Sequence, residues 1–174
     1  MAGLESGRAI IITGPVGAGK TTTAMALAEL LEHRDISCAM VDMDQLRWFN
    51  PTPPGDRFGS RVGLRHLAVM AASYRELGIP TFILADVIET GIDQHASAMP
   101  GYEITVVRLA VAVERLHQRL RLRETDAQFG WHENRAIELT QIMERNGIGD
   151  IVIPVNDETP EQVALMIAEH LELL

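Results

Sequence analysis

The sequence is almost without lysine: Lys20 is the only one among 174 residues, and every other basic side chain is arginine. It is almost without cysteine too. Cys38 stands alone, which excludes an intrachain disulfide and suits a reducing compartment, so a cytoplasmic location is expected. Aromatic residues make up only 5% of the chain, so the core must be built from Val, Ile, Leu and Ala. That composition fits an α/β domain. A surplus of positive charge is missing as well. The net charge of −9 argues against a broad nucleic-acid-binding face, and any charged ligand needs a local basic pocket. No apolar run approaches the length of a membrane span, and Met1–Arg8 has no apolar signal core. No internal repeat or low-complexity tract occurs. The length fits one domain over residues 1–174.

What is present gathers around the lone lysine. Gly14-Pro15-Val16-Gly17-Ala18-Gly19-Lys20-Thr21 fits G-x-x-x-x-G-K-[ST], the loop that cradles nucleotide phosphates. An apolar run, Ala9 to Thr13, reads as a buried strand entering it. Thr21 to Leu31 reads as a helix leaving it. Glycines let backbone N–H groups converge on an anion, and the helix N-terminus adds partial positive charge. A compact ammonium on a flexible stem reaches phosphate oxygens where a planar guanidinium would not fit. Gly14 to Thr22 are therefore the expected nucleotide-binding residues, with Lys20 on the transferring phosphate and the Thr21 hydroxyl on Mg²⁺.

Further strands are expected at Ser37–Asp42, Thr81–Ala85, Glu103–Leu109 and Asp150–Pro154. Helices are expected from Ser60, as cap, to about Leu77, from about Val111 to Arg123, and from about His132 to Arg145. A last helix opens at Thr159-Pro160-Glu161-Gln162 with a capping-box pattern. Asp126 to Gly130 reads as a loop tip. Five apolar strands alternating with helices imply a parallel sheet covered on both faces. The expected class is α/β: a three-layer sandwich of the P-loop NTPase type, with ligands at the carboxyl ends of the strands.

Acids cluster at those ends. Asp42 and Asp44 follow the second strand and could face one Mg²⁺–phosphate centre. Asp44 reads either as the carboxylate that orients an acceptor hydroxyl or as a helix cap, and Asp42 is equally open between metal and cap. Asp86 ends the third strand and is expected to hold the Mg²⁺ shell or the substrate, with Glu89 as a rival. Arg115, Arg119 and Arg123 share a helix face that Arg121 does not. Arg119 and Arg123 are expected to close over the nucleotide from a lid spanning about 119–135. Arg47, Arg57, Arg61 and Arg65, in a substrate segment of about 43–78, could hold an anionic or hydroxyl-bearing acceptor. Trp48 and Phe49 could line its pocket. His95 and His132 have no partner at metal-ligand spacing.

Together these residues resemble the small P-loop kinases, the group that includes adenylate, shikimate, gluconate and adenylylsulfate kinases and chloramphenicol phosphotransferase. Asp42-Met43-Asp44-Gln45-Leu46-Arg47 resembles the D-x-D-x-x-R segment of the adenylylsulfate kinase branch. The resemblance implies that Asp44 sits at the phosphoryl-transfer centre, that Arg47 meets substrate and that Arg119 stacks on adenine. That branch has a serine-centred segment after the third strand. This chain has Ala85-Asp86-Val87-Ile88-Glu89-Thr90, which argues against adenylylsulfate as acceptor. The implied activity is ATP- and Mg²⁺-dependent transfer of the γ-phosphate to a hydroxyl or phosphate of a small molecule, with a second copy of the chain as an allowed partner. A nucleotide-binding regulator without an acceptor is the alternative. A GTPase is excluded, because the guanine-reading Asn-Lys-x-Asp motif needs a second lysine.

Overall fold

Alternating side chains on the central strand build two cores. The computed structural model describes residues 6–51, 53–123 and 126–174, with side chains described except at 123 and 126–128. The first strand, β1 (Gly7–Thr13), sends Ile10 and Ile12 to one face of the sheet and Ala9 and Ile11 to the other. All four are fully buried. A strand buried on both faces reads as a continuous apolar run, which is why Ala9 to Ile12 show no polar alternation.

The sheet has five strands in the order β2-β3-β1-β4-β5, every pair parallel. The others are β2 (Cys38–Asp42), β3 (Thr81–Ala85), β4 (Tyr102–Ala110) and β5 (Ile151–Pro154). Parallel neighbours need crossovers, and the helices supply them. On the Ile10/Ile12 face lie α1 (Lys20–Glu32) and α7 (Pro160–His170), with Leu116 and Leu120 of α5 (Val113–Arg123) joining that core. On the other face lie α3 (Ser60–Glu76), α4 (Asp93–Ala98) and the Leu139/Met143 side of α6 (Asp126–Arg145). A single turn, α2 (Met43–Leu46), follows β2 directly. This is the expected three-layer sandwich.

Two boundaries differ from the sequence reading, each for a physical reason. Gly59, at φ 64°, is the N-cap of α3, not Ser60. The capping acceptor is the buried Asp56 carboxylate, which receives the Arg61 N–H at 3.1 Å and the Val62 N–H at 3.4 Å. Asp126 to Gly130, expected as a loop tip, is the first part of α6. A single glycine costs a helix only about 1 kcal/mol, and Phe129 packing on the core offsets it. The short α4 was not expected from sequence. At Thr159 the capping box is present as expected: its hydroxyl receives the Gln162 N–H at 3.3 Å, and the Gln162 side chain receives the Thr159 N–H at 2.8 Å.

Candidate active site

The phosphate-binding loop lies between two cavities. β1 delivers it from the sheet centre. Thr13, fully buried at the strand's end, receives the Ile88 N–H on its hydroxyl at 2.9 Å and so ties the loop's root to the segment after β3. Gly17 (φ 83°) and Gly19 (φ 93°) take backbone conformations that L side chains resist, and Gly19 is the N-cap of α1. Lys20 Nζ donates to the Pro15 carbonyl at 3.2 Å, so the ammonium curls back over the loop it belongs to. Thr22 Oγ1 donates to the Gly19 carbonyl at 2.9 Å.

Thr21 Oγ1 donates to Asp42 Oδ2 at 2.7 Å. The other Asp42 oxygen receives the Asp44 N–H at 2.9 Å, so Asp42 is both the cap of α2 and the neighbour of Thr21. Both alternatives weighed for Asp42 in the sequence are thus compatible in one geometry. A hydroxyl and a carboxylate side by side at the mouth of a phosphate loop form a hard-oxygen donor pair that fits Mg²⁺. Asp44 is not the cap. Its side chain is 78% exposed, with Arg47 Nη1 at 3.7 Å.

On one side of the loop, Gly17, Ala18, Gly19, Thr22 and Arg119 line a cavity of about 260 Å³ together with Val155, Glu158 and Pro160. Arg119 Nη1 donates to the Ala18 carbonyl at 3.3 Å, which draws α5 onto the loop. Arg121 turns away, bonding His117 at 2.7 Å with its guanidinium over the Phe129 ring at 5.3 Å. Arg115 pairs with Asp157. Arg123 ends α5, but its side chain lies outside the described residues, as does Thr125 of the expected lid. The β5–α7 loop that closes this cavity was missed in the sequence. A signal was available: the Thr159-Pro160 cap marks a loop at the carboxyl end of a strand, where ligands of parallel sheets sit.

On the other side, Val16, Asp44, Arg47, Phe58, Trp131 and Arg135 line a cavity of about 310 Å³. It shares Arg47, Ser60, Val87 and Glu89 with a neighbouring cavity of about 260 Å³ that also touches Asp86 and His95. The two are lobes of one cleft. Asp86 ends β3 and is 3% exposed. Arg47 Nη2 lies 2.8 Å from Asp86 Oδ1 and 3.0 Å from Oδ2, His95 Nε2 lies 2.8 Å from Oδ2, and the Val87 N–H donates at 2.7 Å. Burial alone would push the Asp86 carboxyl up. The hydrogen bond from His95, the Arg47 charge and the Val87 N–H outweigh burial and hold it below the usual aspartate value. Arg135 pairs with Glu89 and, at 2.7 Å, with Glu138.

Several expected neighbours are not brought here. Arg61 and Arg65 stand exposed on α3 and line neither lobe, and Arg61 instead reaches the Pro54 carbonyl at 3.4 Å. Arg57 is exposed with its guanidinium 5.3 Å from the Phe58 ring centre, and it too lines neither lobe. Trp48 is 84% exposed, and neither it nor Phe49 reaches the cleft; Phe58 and Trp131 supply its aromatics instead. Arg47 is brought to the cleft, but bound to Asp86. Asp86 in turn faces Arg47 and His95, while Asp42 is the acid beside Thr21. Arg135 and His95 were missed. Each belongs to a helix remote in sequence, with no motif to mark it. Among the described residues no group of three or more His, Cys, Asp or Glu is arranged to hold a metal by itself. No described helix is long and apolar enough to cross a membrane.

Comparison with known proteins agrees with this geometry. The adenylylsulphate kinase family model matches residues 6–57, the stretch from β1 through the Asp42–Arg47 segment. No curated protein sequence matches the chain. Solved structures match it over nearly its whole length. The adenylylsulphate (APS) kinase of Mycobacterium tuberculosis, in complex with AMPPNP and APS, is 19% identical with a TM-score of 0.64, covering 97% of this chain and 99% of its own. The tunicamycin resistance protein of Deinococcus radiodurans is 23% identical with a TM-score of 0.64, over 95% of each chain. The shikimate kinase of Acinetobacter baumannii, in complex with shikimate, is 20% identical with a TM-score of 0.62, covering 98% and 96%. The fold is that of the small P-loop kinases.

Proposed function

From this fold, the fold of the small P-loop kinases, we propose that the chain is an ATP-dependent kinase that transfers the γ-phosphate to a hydroxyl of a small molecule. The observation that carries the reading is the placement of the phosphate loop between two cavities, with the exposed Asp44 carboxylate in the second. A nucleotide in the first cavity, its phosphates on the loop, would point its terminal phosphate toward an acceptor in the second. A regulator without an acceptor has no need of that second cavity.

The residues divide the work. The N–H groups of Gly14 to Thr22 hold the phosphates, and the α1 N-terminus adds its partial charge. Lys20 leaves the Pro15 carbonyl to neutralise charge on the transferring phosphoryl group. Arg119, already drawn to the loop, covers the base and phosphate side, with Arg123 following it on the same helix face. Thr21 and Asp42 would hold Mg²⁺, which supplies charge neutralisation on the phosphate oxygens when bound. Asp44 orients the acceptor hydroxyl and accepts its proton as the new P–O bond forms and the bond to ADP breaks. Arg47, fixed by Asp86, bounds the acceptor beside it. Closure of the α5–α6 hairpin excludes water, in keeping with a lid over about 119–135. The single, partly buried thiol of Cys38 suits a reducing cytoplasm.

Lys20 offers a direct test. As the only lysine it is, with the N-terminus, the only target for amine-directed labelling. ATP with Mg²⁺ should protect it, and ADP should form when an acceptor is added. Equal labelling with and without nucleotide would overturn the assignment of the loop.

A further inference from the structure

The acceptor cleft contains two arginines whose terminal nitrogens are paired with carboxylates, while the Nε of Arg47 is buried without a hydrogen-bond partner among the described residues. Arg47 lies between Asp86 and Asp44. Arg135 lies between Glu89 and Glu138. Two guanidiniums thus face four carboxylates, and the second lobe adds Asp93. His95 spends Nε2 on Asp86, and the His132 ring packs edge-on against Trp131 at 4.9 Å. Arg61 and Arg65, the cations that sequence would add, are outside both lobes. An anionic acceptor would have to break one of these pairs or sit beside uncompensated carboxylates, and like-charge juxtaposition is a strong means of rejection.

The walls have a second character. Phe58 and Trp131, from the segment before α3 and from α6 respectively, are each about half exposed and line the same lobe as Asp44. Half-exposed aromatic rings at the mouth of a cavity are surfaces that an apolar or aromatic ligand can cover, with geometry set by ring stacking. Arg57 and Arg135 already stand 5.3 and 5.9 Å from the Phe58 ring centre, which leaves Trp131 as the ring that a ligand cation would face beside this net negative charge.

We propose that the acceptor is a neutral or cationic alcohol with an aromatic or other flat apolar body, held between Phe58 and Trp131 with its hydroxyl at Asp44, and that anionic acceptors are rejected by the pre-paired arginines. The inference rests on the kinase reading above and narrows its acceptor. It separates this chain from the two neighbours solved with APS and with shikimate, both anionic ligands. Atoms balance as in any phosphoryl transfer: the alcohol oxygen gains the phosphoryl group, its proton passes to Asp44, and ADP leaves.

Binding can be read without turnover. Trp48 and Trp131 are the only tryptophans, so in Trp48→Phe the emission reports the cleft. Benzyl alcohol, benzylammonium and benzoate share one ring and differ in charge. The alcohol and the ammonium should each quench Trp131 at concentrations about tenfold or more below those needed by benzoate, the size expected from like-charge rejection. Adding Glu89→Gln should release Arg135 and bring benzoate within a few-fold of benzyl alcohol, with Glu138→Gln as the second variant should the first fold poorly. Benzoate binding as well as benzyl alcohol in the Trp48→Phe protein, or no quenching by any of the three, would overturn the proposal. A turnover assay keeps the two readings apart. ATP-dependent phosphorylation of shikimate or adenylylsulfate would sink this inference and leave the kinase standing. ATP turnover with no acceptor dependence across neutral, cationic and anionic alcohols, beside an intact binding preference, would sink the kinase and leave the charge selectivity.

Discussion

The two sides of the phosphate loop were built in different ways. The side we propose for the nucleotide is mostly one contiguous stretch: β1, the loop and the start of α1 supply most of its groups, as backbone N–H donors and one lysine. The side we propose for the acceptor is assembled from α2, the segment before α3, the end of β3, and α6, which are far apart in sequence and meet only through the sheet. A contiguous site can be recognised from spacing. An assembled one cannot, because its charges acquire their roles from partners that spacing does not show. The mutations that matter should differ in kind across the loop: loss of function on the nucleotide side, mixed loss of function and folding on the acceptor side.

The largest effect should come from Lys20→Arg. A planar guanidinium does not fit where the ammonium curls back over the loop, so transfer should fall to background while thermal unfolding stays near wild type. Turnover near wild type would break the nucleotide half of the comparison.

Asp86→Asn should act through stability. It leaves Arg47, largely buried, with only Asp44 at 3.7 Å, and unpairing a buried ion pair costs about 3–5 kcal/mol. The same carboxylate gives a pH signature. Its pKa in the folded protein lies below the ordinary value, so its contribution is fully present above the unfolded aspartate pKa of about 3.9 and is lost as pH falls through the lower folded value. Chemical denaturation of wild type and variant between neutral pH and pH 3 should show the gap narrowing on the acid side. A constant gap would mean that Asp86 does not carry this ion pair.

Asp44→Asn keeps shape and removes charge from an exposed side chain that caps nothing. We expect a loss in kcat on the order of 10²-fold with little change in melting temperature or ATP affinity. Asp42→Asn, in contrast, should cost both stability and nucleotide-dependent activity, since Asp42 caps α2 and touches Thr21. Equal behaviour of the two variants would erase the distinction between them.

Smaller effects should sharpen the lid. Arg119→Ala removes a group drawn to the Ala18 carbonyl and should weaken ATP or slow transfer by about 1–3 kcal/mol, measured as KM and kcat. Arg121→Ala, whose guanidinium rests on Phe129 and His117, should change ATP kinetics little. Greater sensitivity at Arg121 would mean that α5 presents a different face to the nucleotide.

Much of the fold could be read along the chain because its signals are local. Ala9 to Ile12 announce a doubly buried strand, Gly17 and Gly19 a loop of positive φ, and Thr159 to Gln162 a capping box, and each depends on neighbours within a few residues. Where the reading slipped, the deciding partner was distant or the local signal weak. Ser60 looked like a cap, but Asp56 reached the same N–H groups first. Gly130 looked like a loop, but helix α6 passes through it because Phe129 packs on the core. Arg61 and Arg65 share a helix face with each other, and spacing could not say that this face looks outward.

The sequence by itself determined the order of the five strands and of the long helices, and the glycine-rich loop that ends in Lys20 and Thr21. Those follow from periodicity and from backbone conformations that only certain residues allow. Only the tertiary structure decided which arginines meet which carboxylates. Packing brought Arg47 to Asp86 and Arg135 to Glu89, and it set Phe58 and Trp131 in the wall of one cavity. Pairing of charges depends on distance in space and on burial, and neither is a property of spacing along a chain.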